Sequence, residues 1–299
     1  RRIVAALREQ ARSPENPYAN ISAYLPAAWA IKEAMPQAMS IDNFLEAHDN
    51  DKLIETCGKL AIADNILNAE RHSKLYTAKE RGDDSKLGDL DGAWYLQFSQ
   101  LIFQSTTKTN IQSVFDNISI ITFNYDRCIE HYLYCALQAY YRIDGDEAAL
   151  LMRDLTIYHP YGAVGRLQWQ KGSSPASVFG ADRTTNLLEI SRQLKTFSER
   201  VEEGDMLNGI RQTITDANKI VFMGFAYHSQ NLAVIAPPGA TEVKNIYGTT
   251  LGISEHDTKI ISDDLGGIIK MDGGFTPRMH LRSLTCTQMF SEYWRGLGR

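Results

Sequence analysis

Ile118-Ser119-Ile120-Ile121-Thr122-Phe123-Asn124-Tyr125-Asp126-Arg127-Cys128-Ile129-Glu130 decides how this chain is read. An apolar, β-branched run stops at an Asn and an Asp. Ile118, Ile120, Ile121 and Phe123 suit a strand covered on both faces, and Ile129, Leu133 and Leu137 recur at helical spacing. The stretch therefore predicts a strand passing through Asn124-Tyr125-Asp126 into a helix, and in open parallel sheets ligands bind at that end of a strand.

Working outward, the residues after 118 alternate between the two periods. Strands are expected at Ile118 to Phe123, Leu155 to His159, Lys219 to Phe225, Asn245 to Thr249 and Ile268 to Met271. Helices are expected at Asp126 to Tyr141, Asn186 to Val201, Asp205 to Ala217 and Ser254 to Leu265. That succession implies an α/β fold, a Rossmann-like parallel sheet flanked by helices with right-handed crossovers. Residues 1–112 read as a mainly helical region, with helical spacing in Ile3 to Leu7, Ile21 to Met35 broken by Pro26, Phe44 to Leu60, Ile62 to Leu75 and Trp94 to Phe103. Trp94, Leu101 and Phe98 form the expected apolar face of the last of these. Ser40 is a candidate helix start, Glu80 to Gly92 a polar surface loop, and Trp169 to Thr185 a Gly/Ser/Pro-rich loop beside the site. The expectation is one domain over residues 1–299, with the α/β core at 113–299.

At 299 residues the chain can bury a sizeable core without disulfides. Hydrophobic residues make up 43% and charged residues 22%, and no apolar run reaches the ~18 residues of a membrane span. A net charge of -5 gives no general attraction to phosphate backbones, so direct nucleic-acid binding is not expected. The four cysteines, Cys57, Cys128, Cys135 and Cys286, show neither paired spacing nor a His cluster, so no metal site is expected. Free thiols and the lack of a secretory signal fit the cytoplasm. The chain opens at Arg1 inside an amphipathic pattern and without Met, which implies residues upstream.

Three expected strand ends run from apolar into small or polar residues: Thr122 to Asp126, Ile157 to Gly162 and Val221 to Ser229. A weaker fourth is Ile246 to Thr250. If the strands are parallel, these ends share one rim. Each has a plainer reading: Asn124 and Asp126 as turn or cap residues, His159 as the end of a strand, Gly224 as a packing site. Their joint placement carries the functional reading.

The order of these motifs resembles the sirtuin-like family, in particular the bacterial anti-phage NADases. Thr122-Phe123-Asn124-Tyr125-Asp126 is similar to the family's Asn-x-Asp strand end, Tyr158-His159-Pro160-Tyr161-Gly162 to its His-Gly strand end, and Val221 to Phe225 to its later Gly-containing loop. The resemblance implies NAD as substrate, with no metal, and cleavage to ADP-ribose and nicotinamide. It implies homo-oligomers and a partner such as a HerA-type ATPase/helicase. It places Asn124, Asp126, His159 and Tyr161 at the catalytic centre, and Thr122, Phe123, Tyr125, Gly162, Gly224, Phe225, Ser229, Asn231 and Thr249 around the nucleotide.

Three departures accompany it. Before residue 82 the sole Gly is Gly58, so the family's Gly-rich pyrophosphate loop is absent from this chain. The position before Gly162, the family's catalytic His, is Tyr161. Either His159, two residues away and on the same face of a strand, stands in as general base, or the chain is a catalytically inactive NAD- or ADP-ribose-binding subunit. The four-cysteine zinc module of the deacetylating members is also missing, which favours hydrolysis over deacetylation.

Overall fold

The computed structural model describes residues 2–12, 20–76, 90–181, 186–196, 199 and 204–298. The elements follow in the order α1 (Arg2–Ala11), α2 (Tyr24–Ala34), α3 (Ile41–Glu46), α4 (Lys52–His72), α5 (Trp94–Phe103), β1 (Ser119–Ile121), α6 (Cys128–Tyr141), α7 (Gly145–Leu151) and β2 (Thr156–Tyr158). They continue with α8 (Leu187–Ser191), α9 (Asp205–Asp216), β3 (Lys219–Phe222), α10 (Ser229–Ile235), β4 (Asn245–Thr249), α11 (Glu255–Ile268), β5 (Arg278–Arg282) and α12 (Cys286–Leu297). The chain is a Rossmann-like α/β protein: every strand pairing is parallel and the strands are separated by helices. Among the described residues no helix is long and apolar enough to cross a membrane.

Two compact units divide the chain. The first holds residues 1–89, 122–153 and 159–201; the second holds 90–121, 154–158 and 202–299. In the first, α4 is the central helix and packs against α1, α2, α3 and α8. Its Leu60, Ala63 and Leu67 are fully buried. Asp51 starts it by accepting the N–H groups of Leu53 and Ile54, and Ser40 starts α3 by accepting that of Asn43. Pro26 does not break α2. It lies in the first turn, where its missing N–H leaves no intrahelical bond unmade.

In the second unit β1 pairs with β2, Ile120 opposite Ile157, and a separate sheet runs β3-β4-β5 with Ile246 opposite both Ile220 and Met279. α12 lies against β4 and α5, α11 against β5, and Phe290 stacks with Trp94 and packs at a tilt against Phe98. β1 is shorter than expected, and Ile120 and Ile121 are half-buried rather than covered on both faces. Of the strand expected at Ile268 to Met271, Ile268 ends α11, Ile269 and Lys270 are irregular, and Met271 makes only an isolated parallel bridge with Thr241. The third strand of that sheet is Arg278–Arg282, an edge strand with exposed Arg at both ends. The helix expected over Asn186 to Val201 is the five-residue α8 followed by irregular chain, and its end lies outside the described residues, as does most of the 80–92 loop.

Candidate active site

β1 and β2 run parallel with Ile121 opposite Tyr158, and the residues that follow each strand carry the first unit's polar cluster. Asn124 is exposed, and its carboxamide makes no hydrogen bond among the described residues. Its backbone N–H reaches Thr122 Oγ1 at 3.3 Å, and its carbonyl lies 3.3 Å from Nδ1 of His159. On the other side of the ring, Nε2 of His159 is 2.7 Å from Oε1 of Glu130, a carboxylate on the first turn of α6 that is almost fully buried. The second oxygen, Glu130 Oε2, is buried without a hydrogen-bond partner among the described residues.

Burial works against the imidazolium of His159, but the Glu130 hydrogen bond and charge, with the Asn124 carbonyl, outweigh it and hold the pKa above the usual histidine value. Glu130 fixes the proton on Nε2, which leaves Nδ1, in its looser 3.3 Å contact, as the nitrogen that can exchange a protein acceptor for a ligand. Asp126 Oδ1 accepts the N–H of Cys128 at 3.0 Å in a turn just before α6, whose N-cap is Arg127, and the residue remains half-buried with its other oxygen uncommitted among the described residues.

His159 and Tyr161 do not share a face. β2 ends at Tyr158, and the next residues turn, closed by the Gly162 N–H on the His159 carbonyl at 2.9 Å, so strand alternation does not reach them. Tyr161 is buried in the first unit's core with its ring 5.9 Å from that of Phe123, and burial with nearby Asp42 and Glu46 pushes its phenol up to about 12. Gly162 has φ +79, and a β-carbon there would collide with the Gln193 carbonyl, so this Gly serves chain packing. Tyr125 is likewise a core residue: its Oη is 2.9 Å from both Asp42 Oδ1 and the Lys195 carbonyl.

Arg127 anchors the whole turn. Its guanidinium and backbone N–H bind Glu70 of α4, and it donates further to the Ser177 and Val178 carbonyls; Glu70 also accepts the Gly180 N–H. The sequence pattern points to neither Glu130 nor this pair, because both act through contacts distant in the chain.

The second unit gathers Gly224, Tyr227, Thr249 and Cys286. Gly224 has φ +59, is exposed and has no atom within 4 Å of where a β-carbon would stand, and its N–H donates to Thr249 Oγ1 at 2.9 Å. This turn offers open backbone to a ligand. Tyr227, also left-handed, donates to the Thr249 carbonyl. Phe225 stacks edge-on against Tyr227, Ser229 is exposed at the start of α10, and Asn231 is buried within it. Burial raises the Cys286 thiol pKa.

Comparison with known proteins returns no match to a family model, to a curated protein or to a solved structure.

Proposed function

We propose that this chain is an NAD+ glycohydrolase acting in anti-phage defence by depleting NAD+, and that the His159–Glu130 pair beside Asn124 is its catalytic centre. The buried carboxylate on Nε2, with Nδ1 directed to the Asn124 turn, carries the reading. Cleavage breaks the bond between the nicotinamide nitrogen and the anomeric carbon, the electron pair leaving with nicotinamide, and an oxocarbenium-like carbon is then captured by water. Asn124 supplies both a donor and an acceptor for that water or a ribose hydroxyl. In the neutral ring Nδ1 gives up its donor contact to the Asn124 carbonyl and accepts a proton from the attacking water, and Glu130 stabilises the imidazolium that forms. The free oxygen of Asp126 suits the carboxamide N–H of nicotinamide.

Support for the substrate comes from the resemblance of the Asn-Tyr-Asp and His-Pro-Tyr-Gly stretches to the sirtuin-like defence enzymes. From the same resemblance we infer control by homo-oligomerisation or by a HerA-type ATPase partner in the cytoplasm. Nicotinamide release from NAD+, measured with and without such a partner, tests the assignment. Asn124→Ala abolishes turnover with an unchanged circular dichroism spectrum, and undiminished release by that variant removes Asn124 from the mechanism.

Tyr161 supports a second reading, an inactive NAD- or ADP-ribose-binding subunit, because the residue standing where the family's catalytic His would be is packed into the core. Saturable ADP-ribose binding without nicotinamide release under any partner condition decides for it.

A further inference from the structure

A cavity of about 750 Å³ opens in the first unit between α6, α7 and residues 166–172, sharing no residue with the His159–Glu130 cluster. That volume falls in the ordinary range for small-molecule sites. One wall is aromatic: the Trp169 indole is stacked on Tyr134 with ring centres 4.6 Å apart and planes within 8°. Leu150 is 56% exposed at the same cavity, an apolar side chain that nothing covers among the described residues.

The charge lining the cavity is mostly positive, Arg153, Arg166 and Lys171 against the single carboxylate of Asp146. The Arg166 guanidinium is occupied by the carbonyls of Ser174 and Gln170, which folds the segment carrying Trp169 and Lys171. Arg153 and Lys171 differ: both are exposed, and neither side chain has an ion pair or hydrogen bond among the described residues. The Trp169 Nε1 is shielded from solvent and has no acceptor among the described residues, so it is the ring face and not this nitrogen that the cavity presents.

We propose that this cavity binds a free nucleotide, its base against Trp169 and Leu150 and its phosphates held by Arg153 and Lys171. Flat aromatic and apolar surface next to two uncommitted cations matches a molecule that is planar at one end and anionic at the other. A polynucleotide fits less well, because the chain is acidic overall and the cations are gathered in a concave site instead of along a stripe. The assignment is independent of NAD+ cleavage and holds for an active or an inactive chain.

Calorimetric titration of the full chain with ADP, adenosine, inorganic phosphate and a short single-stranded RNA tests it. ADP binds saturably, and Arg153→Glu, Lys171→Glu and Trp169→Ala each weaken binding at least tenfold. Arg153 and Lys171 are surface residues, so their variants fold, and thermal melting confirms this for Trp169→Ala. The proposal is overturned by absent ADP binding, by ADP binding that survives the two charge reversals, by phosphate binding as tightly as ADP, or by RNA binding more tightly than ADP.

Discussion

Arg127 Nη2 and Glu70 Oε2 meet at 2.6 Å with the two side chains 1% and 0% exposed, tying the turn after β1 to the central helix α4. A buried pair of this kind contributes little over an apolar replacement of both partners. Removing one partner leaves an uncompensated charge and costs about 3–5 kcal/mol. Glu70→Leu and Arg127→Met are each expected to destabilise by that amount in urea unfolding, and Glu70→Leu/Arg127→Met by much less than the sum of the singles. Additive losses in that double-mutant cycle would show that the pair is not coupled.

His159 gives a pH signature. Its folded-state pKa is raised above the unfolded value near ~6.5, so its stabilisation is fully present below ~6.5 and disappears as the pH rises through the folded pKa. NMR titration of the His159 ring should place its midpoint above ~6.5, and Glu130→Gln should move it down by removing the charge that raises it. If His159 acts as base, nicotinamide release rises with pH through the same midpoint. A midpoint unmoved in Glu130→Gln would break the dyad.

Two glycines separate strain from collision. Gly224→Ala forces a left-handed Ala into open space and is expected to cost about 1–2 kcal/mol. Gly162→Ala adds a clash with the Gln193 backbone and is expected to cost about 2–5 kcal/mol. Denaturation midpoints rank the two, and equal losses would mean the 193–195 segment yields freely.

Tyr161→His should not raise nicotinamide release, because the imidazole would lie in the core against Phe123; a loss of about 1–3 kcal/mol in stability is expected. Increased release in this variant would place a ligand against residue 161.

Much of the architecture is readable where one physical signal dominates. α5 and β4 match their expected limits because apolar periodicity is uninterrupted, and Ser40 starts α3 as a capping residue should. β5 escaped because an edge strand carries polar residues, Arg278, His280 and Arg282, that hide its apolar positions. α12 passed unnoticed although Thr285 and Gln288 form a capping box at its start. In the site, Asn124 and His159 were legible as polar residues after apolar runs. Glu130 was not, since its role depends on a contact 29 residues away that no local pattern encodes. Tyr161 was misread by extending strand alternation into a turn.

Tyr125 has one hydroxyl proton and two acceptors at equal distance. With Asp42 ionised, the carboxylate and the Lys195 carbonyl compete for that proton and one is left unserved. With Asp42 protonated, a relay forms in which Asp42 donates to Tyr125 and Tyr125 donates to Lys195. Burial raises the Asp42 pKa, and the Tyr125 hydrogen bond works against that rise. One phenolic proton thus joins α3, the Asn-Tyr-Asp turn and the 195 backbone, and the charge on Asp42 decides which of the two acceptors it serves.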